Sequence, residues 1–102
     1  LGGSVIISAV LQTILNIVDF GMSPMEAVSV PRIHSEGDFV HLEARVESSQ
    51  IAVLESFGHK IKKSPYSFDP MMARCHVILK DKKNWKAGAD PRSGGGVAFA
   101  RV

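Results

Sequence analysis

A chain of 102 residues with a net charge of +2 and scattered basic side chains lacks the field that would hold nucleic acid or an anionic membrane. With 45% hydrophobic and 22% charged residues it has a globular composition, enough for one small domain or a piece of a larger one. The single cysteine, Cys75, excludes an internal disulfide and leaves the redox compartment open.

The chain opens on Leu1-Gly2-Gly3-Ser4 and runs straight into an apolar segment. Two glycines before a helix start leave backbone N–H groups bare, and the positive end of the helix dipole reinforces them. Gly2 and Gly3 are therefore candidate anion or oxyanion donors, with a plain turn as the other reading. Ser4 suits an N-cap.

Residues 5–20 read as a helix whose polar positions, Ser8, Gln12, Thr13, Asn16 and Asp19, fall on one narrow stripe. The rest is Val, Ile, Leu, Ala or Phe, so the helix should be buried over most of its circumference. A domain this small would struggle to cover it, and cover is expected from elsewhere. The apolar runs are far shorter than the roughly 20 residues a bilayer span needs. Gly21 fits the left-handed C-terminal position.

Ser23-Pro24-Met25-Glu26 carries a capping box with Pro at the first helical position, and Pro31 ends that second helix near Val30. Residues 40–46 alternate, with Val40, Leu42, Ala44 and Val46 on one side, as a half-buried strand does. A third helix is expected over 49–57, with Ile51, Leu54 and Phe57 inward and Gly58 closing it. Residues 59–63 suit a short strand and 65–72 an irregular loop. Residues 73–80 and 85–89 form a hairpin across Asp81-Lys82-Lys83-Asn84, with Lys80, Lys82 and Lys83 at a solvated tip. Helices first and a hairpin last indicate an α+β or layered α/β unit over residues 1–102 rather than a parallel doubly wound sheet, with helices packed on an antiparallel sheet as the preferred reading.

The remaining polar residues favour structure over chemistry. Arg32 and His34 follow a helix-ending proline and suit a buried salt bridge or interface contact. His34, His41, His59 and His76 show no tight ligand spacing, so neither metal nor other cofactor is expected. His76 should face opposite to Cys75, which reads as a small buried hydrophobe. Asp90-Pro91-Arg92 suggests a structured turn in which Asp90 caps and Arg92 pairs with a carboxylate of a larger assembly. Gly94-Gly95-Gly96 lacks the Lys-Ser/Thr of a phosphate loop. Tyr66, Phe68 and Trp85 are assigned to packing.

In order and spacing, several of these segments resemble the C-terminal part of the small subunit of gamma-glutamyltranspeptidases. They are Gly2-Gly3-Ser4 with Ile6-Ile7, Val10-Leu11-Gln12, Leu15-Asn16 and Asp19 with Gly21-Met22. Glu26-Ala27-Val28, Pro31-Arg32-Ile33-His34 and Asp90-Pro91-Arg92 complete the series. The resemblance implies an N-terminal-nucleophile hydrolase, an αββα sandwich made by autocleavage of a precursor. It implies a Thr nucleophile at the N-terminus of the small subunit, activated by its own α-amino group. It places the oxyanion-hole amides at Gly2 and Gly3.

The implied substrates are gamma-glutamyl compounds such as glutathione, the glutamyl group passing through an acyl intermediate to water or an amine. The implied partners are the remainder of the small subunit and the large subunit of the same precursor. The setting implied is periplasmic or extracellular, with a cytoplasmic one left open. Residue 1 is Leu rather than Thr, so the nucleophile and the serines that hold the substrate carboxylate should lie upstream, and these 102 residues should be inactive alone. The glycine-rich ending also fits a transpeptidase-like amide acylase of the same fold. A non-catalytic interaction module and an anion- or nucleotide-binding domain are the readings from other classes.

Overall fold

The computed structural model describes residues 4–93, so the Gly2-Gly3 pair, the Gly94-Gly95-Gly96 run and the apolar ending lie outside the described residues. Among the described residues, three helices, α1 (Ser4–Val18), α2 (Pro24–Ser29) and α3 (Ser48–Ser56), join five strands. The strands are β1 (Ile33–Ser35), β2 (Phe39–Leu42), β3 (Lys60–Lys63), β4 (Val77–Asp81) and β5 (Asn84–Gly88), and one 3₁₀ turn spans Pro70–Met72. The architecture is α+β, as the order of patterns indicated.

β1 and β2 form an antiparallel hairpin, Ile33 opposite Leu42 and Ser35 opposite Val40. β3 adds in parallel beside β2, the crossover supplied by α3. β4 and β5 make the expected hairpin, although its first strand begins at Val77 rather than at residue 73 and Asp81 and Asn84 pair within it, with Lys82 at φ +57 in the turn. Two small cores result. Val40, Leu42 and Val46 pack with Ile51, Leu54 and Ile61 under α3, while Ala9, Val28 and Cys75 pack with Ala73 and Val77 under α1 and α2.

Local signals explain the helix ends. Ser23 Oγ accepts from the Glu26 N–H at 3.2 Å and Glu26 Oε1 accepts from the Ser23 N–H at 3.1 Å, completing the capping box. Gly21 at φ +65 turns the chain out of α1, and Gly58 at φ +92 does so after α3. Gly88 has a different duty. A Cβ there would stand 2.6 Å from the carbonyl carbon and oxygen of Pro24, so only glycine lets β5 press on the start of α2.

Four local expectations need correction. The strand expected over 40–46 ends at Leu42, because the chain turns to bury Glu43 beside buried arginines. β1 went unread, since three residues give alternation too little length. Phe57 is 74% exposed rather than inward, and Tyr66, Phe68 and Trp85, assigned to packing, also stay exposed. Ser4 is helical, its hydroxyl bonded to Glu36 across the fold.

The orientation of α1 decides what the molecule is. Its polar stripe faces this chain. Thr13 is buried and bonds Ala9 O at 2.8 Å. Asn16 Nδ2 reaches Ala27 O at 3.1 Å, and Gln12 pairs with both backbone groups of Ile33 at 2.7 and 3.0 Å. Ile6, Ile7, Val10, Leu11, Ile14, Leu15 and Val18 are all exposed. Within the described residues, the apolar side of the helix is bare.

Candidate functional site

The site is built at the start of α1, where the helix passes over β1. His34, on the buried face of β1, lies beneath the second turn of the helix with its Nδ1 2.8 Å from Ser8 Oγ. Its Nε2 lies 3.2 Å from Glu36 Oε1, close enough for an ion pair when the ring is protonated but without hydrogen-bond alignment. Glu36, in the turn between β1 and β2, also accepts from the hydroxyl of Ser4. That hydroxyl, and after it the His34 ring, hold the Glu36 carboxyl below the usual carboxylate range. A Ser4–Glu36–His34–Ser8 chain therefore ties the first helical turn to the hairpin.

Beside this chain lies a cleft of about 450 Å³ lined by Val5, His34, His41, Lys63, Tyr66 and Met72 among others. The expected oxyanion donors, Gly2 and Gly3, immediately precede this turn in sequence and lie outside the described residues. Ser8 sits on the inward stripe of α1, half buried against β1, where its hydroxyl is occupied by His34.

Behind the cleft is a buried ion network that sequence reading found only in part. Arg92 donates from Nε to Glu43 Oε2 at 2.7 Å and from Nη2 to Glu43 Oε1. Its Nη1 reaches Asp90 Oδ1 at 3.1 Å and Val28 O at 2.6 Å, and Nη2 reaches Val30 O at 3.0 Å. Two carbonyls at the end of α2 are thereby satisfied. Arg32 Nη1 pairs with Asp90 Oδ2 at 2.7 Å, both side chains buried. This bears out the buried salt bridge expected of Arg32.

Asp90 behaves as the cap its motif suggested, its carboxylate accepting from the N–H groups of Arg92 at 2.9 Å and Cys75 at 2.7 Å. Burial alone would push its carboxyl up; those two N–H groups and the Arg32 guanidinium outweigh burial and hold it below the ordinary aspartate range. His76, just ahead of β4, is exposed while Cys75 is buried; its Nδ1 accepts from the Asp90 N–H at 3.2 Å.

The expected partner of Arg92 needs correction, because its carboxylate comes from this chain. Glu43 is fully buried and also accepts from the N–H groups of Arg32 at 2.8 Å and Asp69 at 2.7 Å. Strand alternation hid Glu43 on the outward side. The available signal was the arginine count, since two buried guanidiniums need more than one aspartate. Each charged side chain in this network has a partner of opposite charge, although Arg32 Nε and Nη2 stay buried without a hydrogen-bond partner among the described residues.

The family model described as Gamma-glutamyltranspeptidase matches residues 1–100. The chain is 39% identical over 99 residues to an Acylase ACY 1 proenzyme of Pseudomonas sp. strain V22, covering 93% of this chain and 18% of that protein. It is 36% identical over 94 residues to a Glutathione hydrolase proenzyme of Escherichia coli K12, covering 90% of this chain and 16% of that protein. Its structure superposes on a gamma-glutamyltranspeptidase from Pseudomonas nitroreducens with a TM-score of 0.83 at 22% identity, covering 99% of this chain and 53% of that one. The fold is thus that of one part of an N-terminal-nucleophile hydrolase of this kind, and the chain spans less than a fifth of the length of either proenzyme.

Proposed function

The chain belongs to the gamma-glutamyltranspeptidase family, and on that premise we propose that it is the C-terminal part of the small subunit of an acyl-transferring enzyme. The observation that carries this reading is the orientation of α1. A helix that spends its polar stripe on its own chain and leaves seven large apolar residues bare is built to be covered by further polypeptide. The cover is the remainder of the small subunit together with the large subunit of one precursor.

In this reading the nucleophile is an N-terminal Thr upstream of Leu1. Its Oγ adds to the γ-carbonyl carbon while the hydroxyl proton passes to the α-amino group. The backbone N–H groups of Gly2 and Gly3, reinforced by the positive end of α1, hold the oxyanion; a single such donor is worth about 10²–10³ in kcat. Collapse breaks the C–N bond, the leaving amine takes the proton, and an acyl ester remains. Water or an acceptor amine then repeats the steps in reverse, regenerating the Thr. The described residues contribute placement: the buried ion network fixes the strands, and the strands fix α1.

A second reading, an amide acylase of the same fold, is favoured by the match to the acylase proenzyme over nearly the whole chain. Expression of the complete precursor tests both. Self-cleavage ahead of a Thr, with release of amine from a gamma-glutamyl anilide, supports the first; cleavage with turnover of an aliphatic acyl amide alone selects the second. A precursor that stays uncleaved and turns over neither refutes both.

A further inference from the structure

We propose that Gln12 is a positioning residue that sets the roll of α1 on the sheet and so aims the apolar face that maturation of the precursor requires. What covers that face rests on the proposed function; how it is aimed rests on the contacts of Gln12. β1 is an edge strand of its sheet, with β2 on one side. Arg32, just ahead of it, turns its carbonyl to the Glu43 N–H on the β2 side at 3.3 Å. In an antiparallel pair the N–H and C=O of the next residue, Ile33, then point outward, where a further strand would have to bind them.

Gln12 takes that place. Its Nε2 donates to Ile33 O at 2.7 Å and its Oε1 accepts from the Ile33 N–H at 3.0 Å, as the backbone of a neighbouring strand would. The same Nε2 donates to Ser8 O at 3.0 Å, which holds the amide against its own helix. Burial alone would turn the apolar side of α1 toward the chain. Ile7, Leu11 and Ile14 instead stay exposed. Successive residues of a helix stand about 100° apart, so Gln12 facing Ile33 keeps Leu11 from doing so. Asn16, four residues on and on the same side, adds one bond to Ala27 O at 3.1 Å. Thr13 spends its hydroxyl within the helix, on Ala9 O. A contact made at both ends of one amide resists rotation in either sense, which a single bond does not.

The test uses the complete precursor. Gln12→Met keeps the length and helix propensity of the side chain and removes the amide. Exchange of the Ile33 N–H should quicken about five- to tenfold, as loss of one hydrogen bond implies. Self-cleavage should slow by a similar factor while the far-UV helix signal stays unchanged.

Gln12→Glu supplies a readout that side-chain volume does not move. Ionised, the new side chain opposes the Ile33 carbonyl; protonated, its O–H donates to that carbonyl and the two-point contact returns. Exchange of the α1 amides, taken as a ratio to wild type at each pH, should exceed unity at about pH 8 and approach it near about pH 4.5. Wild-type exchange or wild-type self-cleavage in Gln12→Met, or a Gln12→Glu ratio indifferent to pH, would each overturn the proposal. A wild-type precursor that never cleaves sinks the proposed function instead, while exchange still decides whether Gln12 holds the helix.

Discussion

Glu43 gathers four donors around one carboxylate just after β2, the backbone N–H groups of Arg32 and Asp69 and two atoms of Arg92, with Arg45 Nη2 3.7 Å away as a further ion-pair partner. Removing it would leave the Arg92 guanidinium buried with half its compensation. Breaking such a pair costs about 3–5 kcal/mol, far more than an exposed ion pair is worth. Glu43→Ala should therefore lower the urea midpoint of the assembled enzyme sharply, and a midpoint within error of wild type would show the pairing to be dispensable. Asp90 makes a pH prediction. Its folded pKa is below its unfolded value of about 3.9, so its contribution is complete well above that value. The contribution is lost as pH falls through the lower folded value. Urea midpoints measured from pH 7 to pH 2 should thus decline on the acid side, and Asp90→Asn should be weaker at pH 7 with a shallower acid decline. Parallel curves for the two proteins would contradict this assignment.

At the scale of elements, the contact between α2 and β5 depends on an absence. Gly88 brings the hairpin against the Pro24 carbonyl, and a methyl group there has nowhere to go but into backbone. Overpacking of this kind costs about 1–3 kcal/mol even where neighbours can yield, and the atoms in the way here are main chain. Gly88→Ala should lower stability by at least that much, read as a fall in thermal midpoint. The helix that Gly88 abuts was legible beforehand, because Ser23, Pro24 and Glu26 declare its start in four consecutive residues. Gly88 itself was not. Nothing in its neighbours distinguishes a glycine that permits close approach from one that merely ends a strand. The strand before Glu43 fails to read for a related reason: alternation continues through Ala44 and Val46, but Glu43 has a stronger use inside the ion network than in a ladder.

For the whole molecule, the decisive quantity is the apolar area left over. Ile7 is 70% exposed, Leu11 53% and Val18 72%, on the same side of α1 as Val10 and Ile14. Contiguous exposure of that kind marks an interface rather than ordinary scatter. The chain produced alone should self-associate and bind hydrophobic dye. Leu11→Lys should reduce both effects in the isolated chain yet prevent assembly and self-cleavage of the complete precursor. Dye binding unchanged by Leu11→Lys, or a precursor that matures normally with it, would place the missing cover elsewhere. Among the described residues, no helix is long and apolar enough to cross a membrane.

Sequence by itself determined the helices, because capping, glycine stops and periodicity are local physics that need no partner. It also determined the family, since Gly2-Gly3-Ser4, Pro31-Arg32-Ile33-His34 and Asp90-Pro91-Arg92 keep their order and spacing. It gave the narrow polar stripe on α1 but not its direction. Only the tertiary structure decided that the stripe turns inward, because hydrogen bonds from Gln12 to Ile33 and from Asn16 to Ala27 join residues distant in sequence. The same holds for Glu43. A carboxylate's partners lie wherever the chain returns, and a return over 49 residues leaves no trace in local pattern.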